Sequence, residues 1–203
     1  QEQPWNGYAS LEEFYNSFDD NDARKNSFLV GPQFSSDGSR LLDISAEPND
    51  PDGEPLTFTP EINMLAPNAF RQAGVRVGKF EFASGAASSL NNDYPLFRLG
   101  EIILIKAEAA LRQGKTADAL AAVNQIRTRA GMPAYASITL DELFNEIGRE
   151  MFAEANRRTA QIRFGKWSQP WWEKDQSAAF RVLFPIPLNQ INANPNLTQN
   201  PGY

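Results

Sequence analysis

Apolar residues recur at three- and four-residue steps in three stretches of this chain, and the segments between them lack that period. The clearest stretch runs from Pro95 to Gly131, where Leu99, Ile102, Ile103, Ala107, Ala110 and Leu111 fall on one helical face. Gly114 ends this helix, because glycine alone enters the left-handed C-cap conformation without steric cost, and Thr116 is placed to cap the next. So short a turn sets two antiparallel helices side by side, with Ala119, Leu120, Val123 and Ile126 of the second forming the seam.

The second stretch, ITLDELFNEIGREMFAEANRR, opens with capping-box spacing at Thr139 and Glu142 and predicts a third long helix. Leu143, Phe144, Ile147, Met151 and Phe152 point to the core. Glu146, Arg149, Glu150, Glu154, Arg157 and Arg158 lie at three- and four-residue steps, the arrangement of opposite charges pairing along a surface. The third stretch, SLEEFYNSF, predicts a short helix over 11–18, with Ser10 and Glu13 as a capping box and Leu11, Phe14, Tyr15 and Phe18 as its apolar stripe.

Between these helices the chain reads as loops and short strands. Residues 40–45 and 56–59 are placed to pair as a hairpin around EPNDPDGEP, with Asp52-Gly53 as the turn signal. In VRVGKFEF the apolar register moves across Gly78, as a bulge would move it. After the helices come Trp167, Trp171 and Trp172 around Pro170, and then LFPIPLNQINANPNLTQNPGY, whose four prolines oppose regular helix. The pattern predicts a mainly α fold: a helical hairpin plus a further helix, a loop-rich region with short β-strands, and an extended C-terminal tail. One domain is expected over 1–203, comprising a loop-rich part at 1–94, a helical core at 95–166 and a Trp-rich loop and tail at 167–203.

Composition removes whole classes of chemistry. The chain has no His and no Cys, which excludes Ser-His and Cys-His nucleophiles, thiolate metal sites and a disulfide framework. Nothing in the sequence asks for a cofactor or a metal; in DDNDARK, Arg24 stands where a calcium loop needs an oxygen, and an Asp22–Arg24 ion pair is expected instead. The net charge is -6, and the first 94 residues carry 6 Lys/Arg against 15 Asp/Glu, so nucleic acid is not an expected partner. No apolar run approaches the ~20 residues that span a bilayer.

Carboxylates and aromatics remain. Glu150 and Glu154 have the residue type of a glycosidase acid and base, but each has an arginine within one turn, whereas a general acid needs a raised pKa. Trp5, Asn6 and Tyr8 lie in one Pro/Asn/Gly-rich loop, where an aromatic face either stacks on a sugar ring or covers the loop; Trp172 is a further candidate. The alanines around Gly114 look like a tetratricopeptide helix pair, which would bind partners in a superhelical groove. One pair cannot bury its apolar face alone and no second copy occurs, which favours a structural hairpin.

The tail at 183–203 resembles the C-terminal signature of the SusD/RagB family of surface nutrient-binding lipoproteins of Bacteroidetes. Other residues agree in order along the chain: Asp22-Arg24; Arg98-Leu99 with Ala107-Glu108; Ala119-Leu120 with Asn124, Arg127, Arg129, Ala130 and Gly131; Glu146, Glu150, Glu154 and Arg157; and the run from Ile162 to Lys166. Ala155, Arg158 and Ala160 depart from the family's pattern of Gly, Trp and Asp there. Family members are longer, with a signal peptide, a lipidated cysteine and tetratricopeptide-like helices in an N-terminal half, so the chain looks like a C-terminal portion. The resemblance implies a non-catalytic protein on the outer face of the outer membrane, held by a lipid anchor that this chain lacks. It would capture an oligosaccharide or polysaccharide and deliver it to a TonB-dependent SusC-like transporter. A peptide-binding relative and a tetratricopeptide-type interaction module are the alternatives. No binding residue is carried over by motif, so Trp5, Asn6, Tyr8 and Trp172 stand on their chemistry alone.

Overall fold

The computed structural model describes residues 8–42, 55–80 and 90–203, which fall into two compact units, 1–154 and 155–203. The first unit holds a small antiparallel sheet in the order β1 (Ala9–Ser10), β5 (Val75–Val77), β2 (Phe28–Leu29), and a second pairing of β3 (Gly31–Pro32) with β4 (Thr57–Phe58). Its helices are α1 (Glu12–Asn16), α2 (Leu99–Arg112), α3 (Thr116–Arg129) and α4 (Leu140–Met151). The chain is helix-dominated, as its periodicity predicts. Among the described residues no helix is long and apolar enough to cross a membrane, and no group of three or more acidic, His or Cys residues is arranged to hold a metal ion.

The hairpin forms as expected in outline. Gly114 has φ 75°, its N–H bonds back to Leu111 O, and α3 begins at once. The details differ in two ways. Lys115, not Thr116, holds the N-cap position of α3, and no side chain caps it. In α2 the buried residues are Leu104, Ala107, Glu108 and Ala110, while Leu99 is 73% exposed and Ile102 is also exposed. The run Ile102–Ile105 is apolar around the whole helix, so periodicity alone does not choose a face. The alanine-rich side of α3, with Ala119, Ala122, Val123 and Ile126 buried, chooses it by allowing close approach.

In α4 the capping box forms: the Thr139 side chain accepts from Glu142 N–H, and the Glu142 carboxylate accepts from Thr139 N–H at 2.6 Å. The box expected at Ser10 and Glu13 does not. Ser10 lies in β1 opposite Val75 and donates its hydroxyl to Leu11 O, so Leu11 takes the cap position and α1 shrinks to five residues. Phe14, Phe18, Phe28, Phe152 and Val75 then make the aromatic core of the sheet region, with Phe28 and Phe152 stacked at 4.9 Å.

Leu42 bridges Pro55 and Leu56 N–H bonds to Leu41 O, in line with the expected hairpin, but Thr57–Phe58 pairs with Gly31–Pro32. The turn at Asp52-Gly53 lies outside the described residues, as does Phe82. Gly78 follows β5 and donates to Ser27 O at 2.7 Å.

The third long helix is shorter than its period suggests. It stops at Met151, Phe152 is extended, and Ala153 has φ 61°. In the second unit, α5 (Arg157–Arg163) is a separate helix, and α6 (Leu188–Ala193) occupies the gap between Pro187 and Pro195. The tail is therefore not simply extended. It folds back on itself: Tyr203 Oη donates to Leu183 O, Asn200 to Phe184 O, and Gln199 both donates to and accepts from the backbone of Ile186. Arg158 lies over the rings of both Trp167 and Phe184.

Candidate functional site

The sequence singles out two kinds of chemistry, a row of glutamates and a set of aromatics, and the structure treats them differently. Glu146 and Glu150 are four residues apart and share one side of α4, and Glu154 lies just past the helix end. That side is interior, not surface: Glu150 is 1% exposed and Glu146 is fully buried. Charged carboxylates lose most of their hydration there, and only pairing makes this tolerable.

The pairing comes from four other segments and from α4 itself. Asp22 caps a short 3-10 turn (Ala23–Ser27) and fixes the Arg24 guanidinium through Nη2 at 2.7 Å; Arg24 Nη1 then lies 2.8 Å from Glu146 Oε1 and 3.2 Å from Glu150 Oε2. From the end of α3, Arg127 reaches Glu146 and Arg129 Nη2 meets both oxygens of Glu150 at 2.6 and 2.7 Å. Arg98, at the cap of α2, bonds Glu150 Oε1 at 2.6 Å and both oxygens of Glu154, at 2.5 and 2.9 Å. Lys79 adds the Glu154 carboxylate and the carbonyls of Glu150 and Phe152. Arg149 Nη2 completes the set at Glu146 Oε2, 2.7 Å away.

Burial disfavours the ionised form of Glu146, yet the Arg24 and Arg149 guanidiniums outweigh it and hold its carboxyl below the usual range. Burial likewise opposes ionised Glu154, and the hydrogen bonds from Arg98 and Lys79 again pull its carboxyl down. Lys79 is pushed down by burial, which its bonds to Glu154 only partly offset. Groups with lowered folded-state pKa stabilise the fold above their ordinary value of 4.5, and that contribution drains as pH falls through the lowered values. Urea midpoints are expected to stay level from neutral pH to about 5 and to fall below about 4.5, less steeply in Glu154→Gln. A midpoint that rises on acidification would contradict this.

The row can lock four segments together. It offers no acid poised to donate a proton, because the pKa of Glu154 moves the wrong way and every oxygen of Glu150 faces a cation. Charged residues at helical steps are usually solvated, so periodicity alone puts these charges on a surface. The signal that marks them as interior is that 143, 144, 147 and 151 claim one side of α4 and that 150 and then 146 lie directly beside that side.

The aromatics are accessible where they are described. Tyr8 is 88% exposed, beside β1. Trp5 and Asn6 lie outside the described residues. In the second unit Trp172 is 41% exposed, Trp171 is close to it in exposure, and Trp167 is half-buried with its indole N–H donating to Arg181 O. Burial is the ordinary expectation for tryptophans clustered this closely, and only Trp167 approaches it.

Comparison with known proteins gives this arrangement a context. Starch-binding protein SusD of Bacteroides thetaiotaomicron is 37% identical over 123 residues, a stretch covering 56% of this chain and 22% of that protein. Among solved structures, a SusD-like protein from Bacteroides fragilis matches with a TM-score of 0.68 and 20% identity, over 97% of this chain and 47% of its own. Surface glycan-binding protein A from Bacteroides uniformis matches with a TM-score of 0.61 and 22% identity, over 93% and 39%. The chain thus spans less than half the length of these relatives, and the two structural likenesses speak for the fold. The tail motif, the order of the helices and a match to the family model described as the SusD family over residues 5–203 lead to one conclusion: this chain belongs to the SusD family.

Proposed function

We propose that this chain is part of a non-catalytic glycan-binding protein of the cell surface. Its lipid anchor would hold it at the outer face of the outer membrane, and it would pass an oligosaccharide or polysaccharide to a TonB-dependent SusC-like transporter. The observation that carries the reading is the family match over 5–203, supported by relatives named for binding starch and surface glycans. The non-catalytic part is supported by the glutamate row, whose carboxylates are committed to cations in the interior. Because the family model spans both compact units in one match, we take them as parts of a single family domain.

The ligand residues we assign are Trp5, Asn6 and Tyr8, close together in the sequence, and Trp172 in the second unit. Flat aromatic faces match the C–H faces of pyranose rings, and an amide matches paired hydroxyls. Native gels cast with a panel of polysaccharides test this. One glycan is expected to retard the protein, and Tyr8→Ala or Trp5→Ala is expected to weaken the interaction about tenfold, equivalent to ~1.4 kcal/mol. Retardation by no glycan, with binding to peptides instead, would move the assignment to the peptide-binding relatives.

A further inference from the structure

The turn carrying Trp172 has a backbone that its sequence does not favour. Trp171 N–H donates to Lys174 O at 3.1 Å and Lys174 N–H donates to Trp171 O at 2.9 Å, so Trp172 and Glu173 form the two-residue tip of a tight reversal. Glu173 holds φ 61°, the left-handed region where a turn asks for glycine or asparagine. A glutamate there is strained, and such strain accumulates where a side chain is needed for something other than folding.

The surroundings show what Glu173 does not do. Lys174, the adjacent cation, is not its partner: its ammonium lies 4.4 Å from the Trp171 ring centroid and donates to Gln169 O and Asp175 O. Among the described residues neither the Glu173 carboxylate nor the Trp172 indole has a hydrogen-bonding, ionic or ring partner. Both are exposed. The lysine covers one face of Trp171, and Trp172 is left as the open ring at the tip. Asp175, also exposed, adds a second negative charge beside it.

Resting on the glycan-binding reading, we infer that Glu173 is a sugar-contacting residue that works with Trp172. The indole stacks on the C–H face of a pyranose ring, while the two carboxylate oxygens accept from adjacent hydroxyls at that ring's edge. A carboxylate only accepts, so the turn takes hydroxyl-rich, uncharged sugar rings. It rejects the same polymer once those hydroxyls carry sulfate, which removes the donors and adds like charge.

The strain supplies a discriminating variant. Glu173→Gly relieves the left-handed backbone, so it should melt no lower than the wild type, yet it removes the acceptor. In native gels containing the polysaccharide that retards the wild type, with mobilities taken relative to a gel without polysaccharide, Glu173→Gly should weaken retardation at least fivefold. Trp172→Ala should weaken it at least as much, Trp172→Tyr should retain most of it, and the sulfated form of the polymer should not retard the wild type. Wild-type retardation by Glu173→Gly, or equal retardation by the sulfated polymer, would overturn the inference while leaving the glycan-binding reading in place. Failure of the wild type to be retarded by any glycan would remove both.

Discussion

Glu150→Ala is expected to lower stability by about 3–5 kcal/mol, more than the loss of any exposed ion pair, which is worth at most about 1 kcal/mol. The carboxylate accepts from Arg98 and Arg129 and lies against Arg24, and the side chain is essentially inaccessible to water. Removing it leaves Arg24 buried with Asp22 and Glu146 as its remaining counter-charges, and frees the end of Arg98 that fixes the start of α2. Arg129, more than half exposed at its side chain, rehydrates at little cost, so the loss falls on the other two. Urea unfolding of the variant beside Arg129→Ala separates them. A small effect for Arg129→Ala and a large one for Glu150→Ala is expected; comparable effects would mean that the interior part of the network contributes little.

Gly100→Ala is expected to destabilise by about 1–3 kcal/mol, although alanine in place of glycine normally favours a helix by up to about 1 kcal/mol. A Cβ at position 100 would stand 2.4 Å from Arg98 Nη1 and 3.0 Å from Glu150 Oε1. The guanidinium is the far end of a flexible side chain, but it is tied to both Glu150 and Glu154 and moves only by breaking those bonds. The same substitution in an Arg98→Ala background should be neutral or stabilising. Equal costs in the two backgrounds would show that the glycine is needed for some other reason.

How far the sequence could be read varied with the physics involved. Capping at Thr139 was legible because the box is local, three residues apart, and needs nothing else. The same spacing at Ser10 misleads, since pairing of Ser10 with Val75 across 65 residues of sequence is a tertiary contact. The Asp22–Arg24 pair was legible at two residues' distance, but its extension to Glu146 and Glu150 depends on packing. The helical hairpin was legible from its glycine turn. Its buried face was not, because the apolar run in α2 wraps the helix and α3 decides the outcome. Family membership was legible in the tail, where prolines fix a backbone that the terminal Tyr203 then ties to Leu183. Of the aromatic candidates, sequence identified rings that lie outside periodic segments. It could not foresee that Trp172 sits at the tip of a tight turn beside a strained Glu173, because a left-handed glutamate has no sequence signature.

Calorimetric titration of the protein with oligosaccharides from the polysaccharide that retards it, followed by sizing of the recovered sugar, tests the central claim most directly. The account predicts saturable binding and oligosaccharides of unchanged length, the behaviour of a protein that captures glycan through exposed aromatics and keeps its glutamates for its fold. Shortened oligosaccharides would contradict it by making the protein a hydrolase, and the absence of saturable heat with every glycan would contradict it by removing the ligand class.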